Sequence, residues 1–295
     1  MKKLLILVLS SNTYPSKRNK KTQKATWANK KIDDVDIIFY ESGTTNNLKN
    51  DELTVNAGSK TNEIGYKNYQ AFKWVSENCE FDYIFRTNTS SYVNQKILFD
   101  YINSLSINTH EHLYSGIIYN LKKSTTGEII KFASGSGILF NKNTVSSLLN
   151  NFDKYDHNEW EDVAIGKVLN KLNIFPSEGL RFDIEGNIFK TKTDLNYYHY
   201  RCRIDNHYNY PRFLERYVLK ELHRRIVKNY SIKNNYFKIL IFEICKTFYI
   251  QNFNYYMIET FKNILKKLLP NKIYKLLKIR FKKYLINYRL KLFKK

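Results

Sequence analysis

Proline and glycine are scarce in this chain, 4 and 10 among 295 residues. An all-β domain joined by tight turns needs many more of both, so that class is excluded, and no stretch has the Gly/Pro-rich composition of a linker. Cysteine is scarcer still. Cys79, Cys202 and Cys245 are an odd number, far apart and in no metal-ligand spacing, which argues against a disulfide framework or a zinc site and fits a reducing compartment. Long apolar runs are lacking as well. A membrane span needs about 18 or more uninterrupted apolar residues, and the nearest window, Tyr236 to Ile250, is broken by Lys238, Glu243 and Lys246. The opening MKKLLILVLSS imitates a secretory leader, but its apolar stretch covers only Leu4 to Leu9 and runs, without a small-residue cleavage site, into a basic polar segment. A buried first strand is the expectation. With 43% hydrophobic and 26% charged residues and no internal repeat, what remains is a globular chain.

Acidic residues are outnumbered, 27 against 49 Lys and Arg, for a net charge of +22. The imbalance is local: residues 1–210 carry 27 basic and 23 acidic side chains, residues 211–295 carry 22 and 4. From Arg212 onward there is no glycine and one proline, Pro270, which reads as a break between two helices. In the last segment Ile273, Leu277, Phe281, Tyr284, Leu285, Tyr288 and Leu292 recur at helical steps while lysines and arginines fill the rest. Such a basic amphipathic helix suits an anionic membrane surface. Nucleic-acid binding predicts exposed stacking aromatics or a recognition module; here the aromatics follow the apolar face, so no nucleic-acid partner is expected. Packing of the tail on the rest of the chain as a helical subdomain is the other reading.

Before the tail, short apolar runs rich in branched and aromatic residues read as strands at Leu4 to Leu9, Val35 to Tyr40, Tyr83 to Arg86, Leu113 to Tyr119 and Gly137 to Phe140. Between them, Tyr66 to Cys79, Asn94 to Leu105 and Glu161 to Ile174 have helical apolar spacing. The alternation predicts an α/β domain with a largely parallel sheet, which binds ligands at the carboxyl ends of its strands.

Three segments carry candidate chemistry. Glu161-Asp162 opens a helix-like stretch, as first-turn acids at a helix dipole or as working carboxylates. Phe132 to Phe140 (FASGSGILF) is a small-residue loop that lets a ligand approach the backbone, or an ordinary turn. Arg86 to Asn94 (RTNTSSYVN) follows a buried strand with short polar side chains, suited to a polar ligand or to capping the next helix.

In this order, these segments resemble glycosyltransferase family 31, the β-1,3-galactosyl-, β-1,3-N-acetylglucosaminyl- and Fringe-type transferases of the GT-A fold. Ser10 to Trp27 looks like the family's first strand and loop, with its basic residue and Thr-Trp at Lys24, Thr26 and Trp27. Tyr66 to Cys79 is similar to the family helix that ends in Trp, a spacer and Cys; Ala133 to Phe140 resembles its Cys-Ser-Gly-Gly-Gly-Tyr loop, and Glu161 to Ile174 its Glu-Asp-Val helix. The resemblance implies a Rossmann-like GT-A domain, taken as residues 1–205; the basic helical region 206–295 follows from charge and periodicity. It implies inverting transfer from a nucleotide sugar, a UDP-hexose or UDP-N-acetylhexosamine, to a glycan or glycolipid such as bacterial lipopolysaccharide or capsule. Asp162 would be the general base and Glu161 would position the loop or acceptor. Ser134 and Gly135 would line the sugar site, Ser10, Ser11 and Lys24 the nucleotide, and Trp160 would stack on an acceptor sugar. The expected location is the cytoplasm, at the inner face of the plasma membrane.

One motif departs. Where the family has Lys-Thr-Asp-Asp-Asp-x-Phe-Val-Asn, this chain has Arg86 to Asn94, with Asn88, Thr89 and Ser90 in place of the aspartates that hold a divalent cation on the donor diphosphate. Mn²⁺ or Mg²⁺ prefers charged oxygen ligands, which these residues lack. No metal cofactor is expected, and Arg86, Lys24, Arg201 and Arg203 are candidate counter-charges. A CMP-sugar donor, or an inactive scaffold that binds sugar or membrane, are the alternatives. His199 lies near the family's metal-site histidine and alternates with Arg201 and Arg203, so on a strand the three share a face; equally, it is a half-buried residue of an aromatic strand. His110, His112, His157, His207 and His223 read as surface residues, Trp27 and Trp74 as core.

Overall fold

Leu4–Leu9 is apolar at every position, as a strand covered on both faces requires, and it forms β1 (Leu4–Leu9) inside the main sheet. The structure, a computed structural model, describes residues 2–30, 32–60, 63–105, 111–122, 127–204 and 210–250, with 247–250 by backbone alone. β1 pairs in parallel with β2 (Val35–Gly43) and with β5 (Tyr83–Asn88). β2 pairs in parallel with β4 (Glu52–Asn56), whose other neighbour is the antiparallel β3 (Asn47–Lys49). Past β5 the direction changes. β8 (Ile129–Asn141) runs antiparallel to β5 and to β7 (Tyr114–Lys122), and β9 (Ser177–Glu178) pairs in parallel with β7. The order is β3-β4-β2-β1-β5-β8-β7-β9. Each expected strand is present, in the expected α/β class. The antiparallel β7–β8 hairpin was not foreseen, because an apolar run reads the same in either direction.

The three expected helices are α2 (Ile64–Asn78), α3 (Gln95–Ser104) and α5 (Glu161–Lys171); α1 (Ser16–Lys24) and α4 (Lys142–Asn150) were not foreseen. α1 has no apolar face. It buries Asn19, Lys20, Thr22 and Gln23, and Gln23 donates to the carbonyls of Asn88 and Ser91 at 3.1 and 2.6 Å. α2, α4 and α5 supply Phe72, Val75, Val145, Leu148, Ile165 and Val168 to a core that Leu5, Tyr40, Ile84 and Phe140 of the sheet complete. A second sheet joins β11 (His199–Arg201) in parallel to β10 (Arg181–Asp183) and antiparallel to β6 (Ser91–Val93).

The first compact unit is Met1–Glu243, so it runs past residue 205. The reason is α6 (Glu215–Lys228), which packs on α1 through its buried first residue, Glu215. α7 (Tyr236–Ile250) follows. Ile244–Lys295 is a second unit, described only to Ile250. The basic segments around Pro270, and the membrane-surface role expected of them, lie outside the described residues. Among the described residues no helix is long and apolar enough to cross a membrane.

Candidate active site

In the register of the parallel strands, Leu9 lies beside Tyr40 and Asn88, so Ser10, Glu41 and Thr89 follow at one carboxyl edge. β8 runs the other way, with Gly137 opposite Thr87, which brings Ser134–Ser136 to the same edge.

Beneath this edge lies a buried polar cluster. Arg86, 1% exposed, places Nη2 2.6 Å from Glu161 Oε1, and its Nε donates to the Tyr40 hydroxyl at 3.2 Å. Its Nη1 donates to the carbonyl of Gly135. Tyr40 donates in turn to Asn68 Oδ1 at 2.6 Å. Burial opposes the Arg86 charge, but Glu161 and Tyr40 outweigh it and hold the guanidinium above the usual arginine range. Burial pushes the Glu161 carboxyl up, with Arg86 pulling the other way.

Asp162, next in the chain, faces the loop. Its Oδ2 accepts from the Gly135 N–H at 2.9 Å and its Oδ1 from the Val163 N–H at 3.0 Å. Trp160, just before the pair, is 73% exposed. The glycines of the loop are there for close approach: a Cβ at Gly135 would lie 2.6 Å from Glu161 Oε1, and one at Gly137 would overlap the His199 ring.

On the other side Ser136 is the hub. Its carbonyl accepts from Thr87 Oγ1 at 2.7 Å and Ser91 Oγ at 3.3 Å, while its hydroxyl accepts from Arg181 Nη1 at 2.8 Å and lies 3.1 Å from Ser134 Oγ. Arg181 Nε is 2.7 Å from Asp183 Oδ1, and Arg201 Nη1 is 3.9 Å from Asp183 Oδ2. His199, 1% exposed, sets Nε2 3.0 Å from Ser91 Oγ; burial, then Arg181 and Arg201, hold it neutral, well below the usual histidine range.

The structure therefore brings together Asp162, Glu161, Arg86, Ser134 and Gly135, with Arg201 and His199 nearby. It does not give each the expected part. Arg86, expected as a counter-charge for the donor diphosphate, is buried and engaged with Glu161, Tyr40 and Gly135. Lys24 turns to Asp51 and Glu52, 2.6 Å from each. Arg203 is exposed and past the end of β11, so the shared face expected on a strand holds for His199 and Arg201 alone. Ser10 is buried and donates to the Tyr40 carbonyl at 3.2 Å; Ser11 Oγ lies 2.9 Å from Thr13 Oγ1. His223, expected at the surface, is half-buried 2.9 Å from the Tyr92 hydroxyl; His112 and His157 are exposed, and His110 and His207 lie outside the described residues. Trp27 is buried and Trp74 packs on the core. Tyr40, Asn68, Ser136, Arg181 and Asp183 were not singled out from sequence. Ser136 lay inside the small-residue loop read as a candidate segment, and the Arg-Phe-Asp alternation at 181–183 ran over too few residues to stand out.

The Asn88–Ser90 turn is committed to structure. Asn88 Oδ1 accepts from the Ser90 N–H at 2.9 Å, and Thr89 donates to Ser16 Oγ at 3.1 Å. Ser90 donates to Glu215 Oε2 at 2.9 Å, and the fully buried Glu215 also accepts from Asn19 at 2.6 Å and Arg212 Nε at 2.8 Å. A hard divalent cation wants several charged oxygens; this turn has none, and the one carboxylate against it already has three donors. Among the described residues no group of three His, Cys, Asp or Glu is placed to hold a metal ion. The described residues of this turn do not fit the metal that the resemblance implies.

The sequence profile of the galactosyltransferase family matches residues 26–178, and the chain belongs to that family. It is a glycosyltransferase, and its α/β architecture is of the GT-A class. Solved structures similar to it include a glycosyltransferase involved in glycosylation of the major capsid of PBCV-1, at 10% identity and a TM-score of 0.42 over 74% of this chain and 99% of that one. Another is the glycosyltransferase GlyE of Streptococcus pneumoniae TIGR4, at 11% identity and 0.42 over 80% and 66%. A third is the galactosyltransferase LgtC in complex with donor and acceptor sugar analogues, at 10% identity and 0.38 over 79% and 98%. No curated protein is a significant match.

Proposed function

We propose that the chain is an inverting transferase that moves a sugar from a nucleotide donor, a UDP-hexose or UDP-N-acetylhexosamine, to a hydroxyl of a cell-surface glycan or glycolipid without a divalent metal. The observation that carries the reading is the seat of Asp162: a half-buried carboxylate at the start of α5, fixed 2.9 Å from the N–H of a small-residue loop at the strands' carboxyl edge. Asp162 takes the proton of the acceptor hydroxyl as its oxygen attacks the anomeric carbon from the face opposite the leaving group. The bond from that carbon to the phosphate oxygen breaks, the electron pair leaves with the diphosphate, and the configuration inverts. Glu161 acts indirectly, through Arg86 and the Gly135 carbonyl that Arg86 binds. Exposed Trp160 offers a sugar-stacking face beside the base. The basic composition of residues 211–295, 22 Lys and Arg against 4 acids, supports a place at the cytoplasmic face of an anionic membrane.

Turnover of a panel of nucleotide sugars, with and without EDTA, tests the reading. Turnover should survive the chelator and fall about 10²- to 10⁴-fold in Asp162→Asn, the usual worth of a general base. Activity abolished by EDTA and restored by Mn²⁺ would overturn metal independence, and no turnover of any donor by folded protein would overturn the whole reading. Co-sedimentation with anionic against neutral vesicles tests the tail.

A further inference from the structure

Four basic residues are buried among those described: Lys20, Lys67, Arg86 and Arg225. Three have partners. Lys20 Nζ is 3.2 Å from Glu41 and 2.8 Å from Glu52; Arg86 binds Glu161, Tyr40 and Gly135; Arg225 donates to the carbonyls of Thr191 and Ser231 and to the Thr193 hydroxyl.

Lys67 differs. It sits in the first turn of α2 at 4% exposure, and among the described residues its ammonium has no hydrogen-bond acceptor and no carboxylate at ion-pair distance. Nearly all of its surface is covered, and only 4% remains exposed. A cation held this way is costly to the fold unless something pairs with it.

Its surroundings say where the ammonium lies. The charges that act on it are Glu63, Glu41 and Arg86. Glu41 follows Tyr40 in β2 and is already bonded to Asn12, at 2.6 Å in the segment after β1, and to Lys20. Glu63 accepts from the Lys60 N–H at 2.9 Å. The next residue along, Asn68, joins Tyr40 and through it Arg86. Lys67 thus stands at the carboxyl ends of β1, β2 and β5, where sheets of this kind take their ligands. α2 begins with Glu63 at its N-cap, whose side chain does not cap the helix and instead accepts from the Lys60 N–H.

We infer that Lys67 is the counter-charge for the donor's diphosphate, a side-chain replacement for the cation that the Asn88–Ser90 turn cannot hold. The inference rests on reading the chain as a nucleotide-sugar transferase. An ammonium is a compact charge with three rotatable donors, and one fixed in a partly dry crevice stabilises the charge that the diphosphate gains as the sugar leaves. Burial holds the Lys67 ammonium below the usual lysine range, against the opposing pull of Glu63 and Glu41. An arriving phosphate relieves that cost.

The test is calorimetric titration of the full chain with inorganic pyrophosphate in EDTA. The wild type should bind it, Lys67→Met should weaken binding about tenfold or more, as loss of a charge-assisted bond does, and Lys67→Arg should keep part of the affinity. Lys21→Met, which removes an exposed charge of α1, should change nothing. Thermal unfolding reads folding separately: without ligand Lys67→Met should melt no lower than the wild type, and pyrophosphate should stabilise the wild type and Lys21→Met but not Lys67→Met. Lys67→Gln repeats the comparison with a second neutral side chain. Equal binding by wild type and Lys67→Met, no binding by the wild type, or an equal loss in Lys21→Met would overturn the inference. Pyrophosphate binding that depends on Lys67 in a protein that turns over no donor keeps the anion site and removes the transferase reading. Turnover that Lys67→Met leaves untouched does the reverse.

Discussion

Arg86 Nη2 stands 2.6 Å from Glu161 Oε1, and the same guanidinium binds the carbonyl of Gly135, whose N–H holds Asp162. The proposed base is thus set by a buried ion pair two links away. Removing one member of such a pair strands the other charge, at a typical cost of about 3–5 kcal/mol. Glu161→Gln and Arg86→Met should each destabilise by that order in chemical unfolding, and both should lose turnover. The double variant Arg86→Met/Glu161→Met should regain much of the stability, since no buried charge is left alone, while turnover stays low. Two single losses that simply add in the double variant would show that the pair does not act as a unit.

His199 gives the fold an acid sensitivity of definite sign. Burial, Arg181 and Arg201 depress its folded pKa, so its contribution is fully present above the ordinary histidine value of about 6.5 and is lost as pH falls through the folded value. The wild-type Tm should therefore drop on acidification below about pH 6.5, and more steeply than that of His199→Gln. Parallel Tm profiles for the two proteins would place the acid sensitivity elsewhere.

Trp160 is 73% exposed, so trimming it removes little packing. Trp160→Ala should leave stability within about 0.5 kcal/mol, as surface changes do. If the indole stacks on the acceptor, the acceptor KM should rise several-fold while hydrolysis of donor alone is unchanged. An unaltered KM would take Trp160 out of the site.

What could be read from sequence followed from local pattern. The all-apolar Leu4–Leu9 reads as a buried strand, and Glu161-Asp162 and the small-residue loop, two separate candidate segments in the sequence, meet in the fold where Asp162 accepts from the Gly135 N–H. α1 escaped because it is held by polar contacts, Gln23 to two carbonyls and Asn19 to Glu215, and periodicity of apolar residues cannot register those. Arg86 was legible as a cation but not as a buried one, since its burial depends on Glu161, 75 positions away in the chain. Lys67 was invisible for the same reason: in the sequence it is one lysine of an amphipathic helix, and only the packed fold shows that its charge has been left without a carboxylate.

The fate of the Asn88–Ser90 turn gives the sharpest mutational contrast. Ser90 donates to Glu215 Oε2 at 2.9 Å, beneath α6, where Glu215 is fully buried. An aspartate there would set a second carboxylate against the first, with Arg212 the shared cation, its Nη2 now 2.9 Å from Ser90 Oγ. Ser90→Asp should therefore destabilise by about 1–3 kcal/mol, the cost of leaving buried polar groups unpaired, and should not create a response to Mn²⁺, because position 90 faces α6 and not an open crevice. Adding Glu215→Gln should recover part of the loss, since an amide can donate to the new carboxylate. Unfolding of the three proteins with and without Mn²⁺ checks both halves: a Ser90→Asp variant that Mn²⁺ stabilises would mean that the turn opens to a metal once a charged ligand is supplied.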